Sequence, residues 1–406
     1  MESPIIIVGA GQAGLQLAES LRNEGWTGPI QLIGDEHHAP YHRPPLSKQY
    51  LTGESIEAQL TIRGPEFLAR KDIDLRTGVT VQTIDRAAKS VLFSDGQSRL
   101  YHAIGLTTGA RARALPVPGA GLDGVLTLRG LDDANRIAAR LPHTSRLVVV
   151  GGGFIGLEIA AAARTFGVDV TVLEAAPRLM ARVVSPLLSR FYADLHARHG
   201  VRILCNAQVT GLVGADGRIT GVTTAEGVIP ADLVVVGIGV IANDDLARAS
   251  GLDCDRGIIV DACSRTSDPS IVAAGDCTAR LMPDGGLRRL ESVQNAVEQA
   301  KSAAAALMGR ERPFLATPWF WSDQFNCKLQ MVGQSAGYDH AAVRGVVAEG
   351  HFSVFYYAGD RLIGVDSLDG PREHMAARGL LDKGLSPGPA QVTDPDFDLT
   401  AAMRAG

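Results

Sequence analysis

No two cysteines of this chain stand at CxxC spacing. The five thiols, at positions 205, 254, 263, 277 and 327, are odd in number and scattered. A disulfide framework and a zinc ribbon are both disfavoured, and a reducing cytoplasm fits. An excess of positive charge is also missing. Thirty-nine Lys and Arg face 44 Asp and Glu, a formal net charge of −5. A general nucleic-acid binder would be basic overall. A local basic patch for an acidic partner stays open. Long apolar runs are lacking too. Leu147–Leu157, ended by Glu158, and Leu233–Ala242 fall short of the ~18 residues of a spanning helix. No basic stretch precedes Ile5–Ala18, so that segment reads as structure and not as a secretory leader. His37, His38 and His42 lie close together but have no Cys or carboxylate at ligand spacing, and no metal site is expected.

Glycine is what the chain has in excess: 46 of 406 residues, about 11% against a usual ~7%. Part of that excess sits in two segments of one design. Ile5–Val8 is a short β-branched run, expected as a buried parallel strand. It meets Gly9-Ala10-Gly11-Gln12-Ala13-Gly14 and a helical pattern, and a second strand over 30–33 ends at Gly34-Asp35. The design recurs as Leu147–Val150, then Gly151-Gly152-Gly153-Phe154-Ile155-Gly156, a helix, and a strand over 170–173 ending at Glu174. Asp35 lies 21 residues after Gly14, and Glu174 lies 18 after Gly156. Strand, GxGxxG, helix, strand and acid together form the dinucleotide-binding fingerprint. The first glycine permits a tight turn. The second lets backbone approach a pyrophosphate. The third allows close helix–strand packing. The helix N-terminus faces the phosphates, and the acid accepts from a ribose.

Two such sites in one chain suggest electron transfer between a held flavin and a visiting nicotinamide. Thr107-Thr108-Gly109, Val236-Gly237-Ile238-Gly239 and the strand ending in Gly275-Asp276 support this, since an acid at 276 can hold a flavin's ribityl chain. The fold expected is α/β, with two Rossmann-like domains and a C-terminal α+β domain. The first nucleotide fold would cover 1–113 and 244–316, the second 114–243, and the C-terminal domain 317–406.

Several strings carry a family resemblance. They are Tyr41-His42-Arg43-Pro44-Pro45-Leu46-Ser47-Lys48, Gly151–Glu158, Gly275-Asp276-Cys277, Glu291-Ser292-Val293-Gln294-Asn295-Ala296 and Pro318-Trp319-Phe320-Trp321-Ser322-Asp323-Gln324. The chain resembles, over nearly its whole length, the FAD-dependent, NADH-oxidising ferredoxin reductases of bacterial cytochrome P450 and ring-hydroxylating dioxygenase systems. That resemblance implies a glutathione-reductase-like arrangement, FAD and NADH as cofactors, and a [2Fe–2S] ferredoxin as partner. Composition and charge set the remaining expectations, a cytoplasmic setting with no membrane or nucleic acid involved, and a monomer is expected. FAD would be held by Gly9, Gly11, Ala13, Gly14, Asp35, Arg43, Lys48, Val81, Thr108, Gly109, Arg129, Gly275, Asp276, Val293 and Trp321. NADH would be held by Gly151, Gly153, Ile155, Gly156, Glu158, Glu174, Arg182, Gly237 and Gly239. Glu174 would favour NADH, because a carboxylate repels the 2′-phosphate of NADPH. Lys48 would favour negative charge on the reduced ring, Glu291 would lie beside the nicotinamide, and Trp321 would pack where electrons leave. These three are the residues expected to tune the chemistry.

Some residues invite other expectations. Arg178, four residues after Glu174, is a candidate to soften NADH selectivity. Arg63, Lys301 and Arg310 are candidates for a basic partner surface. Thr107 stands where the family has Ala, and Gly105 replaces a bulky strand residue; the added hydroxyl is expected to loosen the crossover between the two nucleotide folds. Disulfide reductases and single-Cys NADH peroxidases need a cysteine in the region 41–51, which has none. A rubredoxin reductase, an NADH oxidase and an NADH-sensing flavoprotein of the apoptosis-inducing-factor type stay open as alternatives.

Overall fold

The computed structural model describes residues 3–282, 285–314 and 316–405. The chain divides into two compact units. One comprises residues 1–42, 57–111 and 240–316; the other comprises 43–56, 112–239 and 317–406. The chain passes from the first unit to the second at 111/112 and returns at 239/240. The segment 43–56 belongs with the second unit, although it lies within the stretch read as the first nucleotide fold. Residues from 317 onward also join the second unit.

The first unit is built on five strands in the order Ile271–Ala273, Ala103–Leu106, Ile5–Val8, Ile30–Ile33, Ile73–Arg76. Every neighbouring pair is parallel. Parallel strands need cover on both faces, which is why these runs are apolar without alternation. Successive residues feed opposite cores. Ile5 and Ile7 pack with Leu15, Leu17 and Leu21 of the helix Gln12–Asn23, and with Ala300, Ala303 and Ala304 of the helix Val293–Leu307. Ile6 and Val8 pack instead with Val81, Ile84, Val91 and Phe93 of an antiparallel meander. Gly105 has a packing reason: a Cβ there would stand 2.3 Å from Leu17 Cδ2. Its missing side chain is filled by the helix.

The second unit repeats the plan. Its parallel sheet has the order Val201–Cys205, Asp169–Glu174, Arg146–Val150, Leu233–Val236, Val125–Thr127. Val148 and Val150 pack onto Leu212, Ile219 and Val222 of a second meander. The C-terminal part is a five-stranded antiparallel sheet, Trp319–Gln324, Cys327–Gly333, Arg361–Leu368, His351–Ala358, His340–Val346. The helix Pro371–Asp382 covers it through Ala376, Ala377 and Leu380, against Phe355, Tyr357 and Val365. The α/β class with an α+β C-terminal part is therefore the one observed. Among the described residues no helix is long and apolar enough to cross a membrane.

Candidate dinucleotide sites

The two glycine turns have the same geometry. Gly9 has φ +110 and Gly151 has φ +111, backbone that side chains rarely adopt. A Cβ on Gly9 would meet Thr107 O at 2.2 Å, and one on Gly151 would meet Gly237 O at 2.4 Å. The third glycines are closed off as tightly. A Cβ on Gly14 would stand 2.0 Å from Gly9 O, and one on Gly156 would stand 2.1 Å from Gly151 O. The middle glycines differ from both. Nothing lies within 4 Å of the Cβ position at Gly11 or at Gly153. Packing within the protein thus demands the outer glycines and leaves the middle ones facing open space.

Each middle glycine is also the N-cap of its helix. Neither helix has a side-chain cap or an acidic residue in its first turn. Their first N–H groups are left for an external acceptor, and a phosphate at a helix N-terminus is such an acceptor. Open cradle and uncapped helix together fit a pyrophosphate in each unit.

The flanking residues fall into place by unit. In the first, Asp35 is exposed just after the strand Ile30–Ile33. Gly275 has φ +86 and packs on Ala13, whose Cβ lies 3.2 Å from the position its own would take. Gln299 Oε1 accepts from Gly275 N at 2.8 Å and Thr278 Oγ1 at 3.0 Å, and so holds the Gly275-Asp276 turn. Val293 opens the helix after the Ser292 N-cap, and Val81 opens the meander. Glu291 pairs with Arg289 at 2.9 Å. Thr108 donates to Asn243 O at 2.5 Å, while Asn243 donates to Thr108 O at 2.9 Å and to Gly109 O at 3.0 Å through its backbone.

Thr107 corrects an expectation. Its buried hydroxyl reaches Gly9 O at 2.8 Å and Val8 O at 3.1 Å. It ties the strand Ala103–Leu106 to the first glycine turn instead of loosening it. Gly9 O is the same carbonyl that lies over Gly14, so the hydroxyl braces the tightest point of the turn.

In the second unit, both oxygens of Glu174 are engaged. Oε2 accepts from Gly152 N and Oε1 from Ala176 N, each at 2.7 Å. The acid therefore fixes the glycine turn as well as marking the strand end. Arg178 has partners of its own. Its guanidinium donates to Val184 O, Ala181 O and Ser189 Oγ at 2.7–2.8 Å, cross-linking its own loop. Arg182 is exposed, and its Nη2 lies 3.9 Å from the Cβ position of Gly239. Ile155 stands out as an exposed large apolar side chain in the first turn of its helix. A Cβ on Gly237 would stand 3.6 Å from Gly156 Cα.

The segment 43–56 brings a further cluster into this unit. Arg43 donates to Arg129 O at 2.9 Å. Lys48 Nζ lies 2.9 Å from Glu158 Oε2. Ser47 Oγ donates to the same oxygen at 2.5 Å, and Ser322 Oγ donates to Glu158 Oε1 at 2.6 Å. Glu158 is buried, at 4% exposure, and has partners on both oxygens. Trp321 is half-buried and packs against Trp319, ring centroids 5.5 Å apart and planes tilted by 31°. Trp319 in turn packs against the C-terminal core, edge-on to His374. Ser47, Ser322, Gln299 and Asn243 went unnoticed as site residues in the sequence. The first two lay inside strings already singled out, and the others carried no spacing signal.

The candidate partner cations are less free than their sequence suggests. Arg63 pairs with Glu19, Lys301 with Glu298 and Arg310 with Glu24. All five cysteines are free thiols. Among the described residues, no group of three or more His, Cys, Asp or Glu is placed to hold a metal.

Known proteins share this plan from end to end. The pyridine nucleotide-disulphide oxidoreductase family matches residues 3–300, and the reductase C-terminal family matches 319–403. Rhodocoxin reductase of Rhodococcus erythropolis is 48% identical over 98% of this chain and 94% of its own. The crystal structure of the ferredoxin reductase for the CYP199A2 system of Rhodopseudomonas palustris superposes with a TM-score of 0.96. It is 44% identical and covers 99% of this chain and 100% of that one. Putidaredoxin reductase, in its covalent complex with putidaredoxin, gives a TM-score of 0.95 at 41% identity, covering 99% and 98%. Twin glycine turns, free thiols and likeness along the whole chain lead to one assignment: the chain belongs to the pyridine nucleotide-disulphide oxidoreductases, among the ferredoxin reductases that carry the reductase C-terminal domain.

Proposed function

We propose that this chain is an NADH-dependent ferredoxin reductase. It takes hydride from NADH and passes electrons singly to a [2Fe–2S] ferredoxin that feeds a cytochrome P450 or a ring-hydroxylating oxygenase. The observation that carries this is the pairing of two open glycine cradles with five free thiols. The chain has a cradle for each of two dinucleotides, and no disulfide stands ready to take the electrons, so they leave to an external acceptor. Bound FAD supplies hydride acceptance and single-electron release.

The protein's own part is to bind and orient. The turn at Gly9, Gly11 and Gly14, with Ala13, Asp35, Val81, Thr108, Gly109, Gly275, Asp276 and Val293, holds FAD in the first unit. The turn at Gly151, Gly153 and Gly156, with Ile155, Glu174, Gly237 and Gly239, holds NADH in the second. Arg182 meets the NADH phosphates as an exposed cation. Glu291 takes the nicotinamide side. Arg43, Lys48, Arg129 and Trp321 take the flavin-side roles that the family resemblance implies. Glu158 acts on the coenzyme through Lys48, because its oxygens are already engaged. The division into two nucleotide folds and a C-terminal domain follows the same assignment. The protein works in the cytoplasm, as a monomer.

Rapid mixing with NADH and then with acceptors tests this. NADH should bleach the bound flavin much faster than NADPH, and a cognate [2Fe–2S] ferredoxin should then be reduced. A better rate with NADPH overturns the coenzyme assignment. Turnover with rubredoxin, oxygen or a disulfide but not with ferredoxin overturns the partner. Slow bleaching with a lasting charge-transfer band would point to an NADH sensor.

A further inference from the structure

Glu158 sits at the end of a chain of buried polar groups that the glycine turns do not explain. Ser322 Oγ, on the strand Trp319–Gln324, donates to Glu158 Oε1 at 2.6 Å. Gln324, two residues on and facing the same way, brings Nε2 to 3.2 Å from Ser322 Oγ. His196, on the helix Pro186–Arg198, brings Nε2 to 2.9 Å from Gln324 Oε1. Ser322, Gln324 and His196 are all fully buried at 0% exposure. Buried polar groups that persist at no exposure need partners, and these have one another.

Proton bookkeeping gives the chain a direction. A serine hydroxyl has one proton, and here it goes to the carboxylate. Ser322 must then accept from its other neighbour, so Gln324 presents its N–H₂ to Ser322 and its oxygen to His196. That oxygen accepts only if His196 bears its proton on Nε2. Among the described residues the remaining ring nitrogen, Nδ1, has no partner, and an unpaired acceptor is better tolerated in a core than an orphaned N–H. Burial pushes the His196 pKa down to about 4, which keeps the ring neutral. Every donor in the line points toward Glu158, and aligned hydrogen bonds polarise one another.

We propose that His196, through Gln324 and Ser322, is a positioning residue: it fixes the Glu158 carboxylate and, through it, the Lys48 ammonium. Ser47 and Lys48 both hold Oε2. Among the described residues, only the line from His196 secures Oε1, and so it sets the rotation of the carboxylate. The effect on the flavin rests on the role proposed above for Lys48; the chain itself does not.

The test uses the FAD-loaded protein with ¹⁵N-labelled histidine. The His196 resonance should report the neutral Nε2–H tautomer at pH 6. In Ser322→Ala, where Gln324 is free to turn over, that preference should weaken to a mixture. His196→Leu should slow flavin reduction by NADH about tenfold with NADH affinity kept within twofold. His196→Gln, which retains a donor, should recover to within threefold. In a Glu158→Gln background, His196→Leu should have no further effect. A proton on Nδ1, a tautomer indifferent to Ser322→Ala, or effects that multiply in the double variant overturns the proposal. If the tautomer behaves as stated but neither His196→Leu nor Lys48→Met alters flavin reduction, the chain stands. In that case the flavin-side role of Lys48 is what fails.

Discussion

The three glycines of one turn should fail in different ways when replaced, and the contrast between Gly153→Ala and Gly156→Ala is the sharpest test of the coenzyme site. Gly153 has φ −85 and ψ −178, backbone open to any residue, and its Cβ position faces empty space. Alanine there costs no packing. The lost preference for glycine over alanine at an N-cap is about 1 kcal/mol, largely offset by ~0.4–1 kcal/mol of reduced unfolded-state freedom. Thermal stability should change little. The methyl does occupy the space through which a pyrophosphate would approach the helix N–H groups. Charge-assisted hydrogen bonds are worth about 1.5–3 kcal/mol each, so weakening one or two lowers NADH affinity ~10–100-fold at 1.4 kcal/mol per tenfold. At Gly156 the added Cβ would stand 2.1 Å from Gly151 O and 3.2 Å from Val149 Cγ1. The backbone must move, at a cost of ~1–3 kcal/mol or more. That is roughly 2–4 °C of melting temperature per kcal/mol for a unit of this size. Scanning calorimetry of the FAD-loaded variants gives stability, and saturation of the flavin-reduction rate with NADH gives affinity. Wild-type NADH affinity in Gly153→Ala, or equal loss of stability in both variants, refutes the argument.

Three further outcomes can be measured directly. Asp366 is buried with the Tyr356 hydroxyl 2.7 Å away, and desolvation raises its carboxyl to about 7. Its proton is held more tightly folded than unfolded (~3.9), so the stability it carries is intact below pH 4 and lost as pH rises through 7. The loss is about 4 kcal/mol at most; Asp366→Asn should remove it, raising the melting temperature at pH 8 but not at pH 4, and an unchanged pH profile would refute this. Glu174→Arg should shift the kcat/KM ratio toward NADPH while costing ~1–3 kcal/mol, because Gly152 N and Ala176 N lose their acceptor; unchanged coenzyme preference means that Glu174 does not face the ribose. Thr107→Val keeps the shape but drops the hydroxyl at Gly9 O, so it should lower the melting temperature by a few degrees and weaken FAD retention, and a more stable variant would show that the hydroxyl does not brace the turn.

What could be read in the sequence was whatever is encoded locally. A β-branched run, a glycine turn, a helix and an acid lie within one continuous stretch, and backbone geometry alone ties their spacing to a ligand. Both nucleotide folds, and the part each outer glycine plays in them, were therefore legible. The partners of Arg178 and Thr107 were not foreseen because side-chain reach was inferred from position. Arg178 lies one helical turn from Glu174 in number, yet its guanidinium turns to the carbonyls of 181 and 184. Thr107 was compared with an alanine without sight of the carbonyl waiting above it. Glu158 was assigned to the coenzyme by the family resemblance alone. Its partners come from residues 47, 48 and 322, more than a hundred positions away on either side. A buried carboxylate with one cation and two hydroxyls is at low free energy only when all of them converge, and convergence across such separations leaves no periodic trace. The strings around Lys48 and Ser322 were noticed for their resemblance to a family. The structure supplies a physical reason for those strings, since one delivers Ser47 and Lys48 and the other delivers Ser322 to the same carboxylate. The parts of the chain that looked most specific and least explained are thus the ones joined by Glu158.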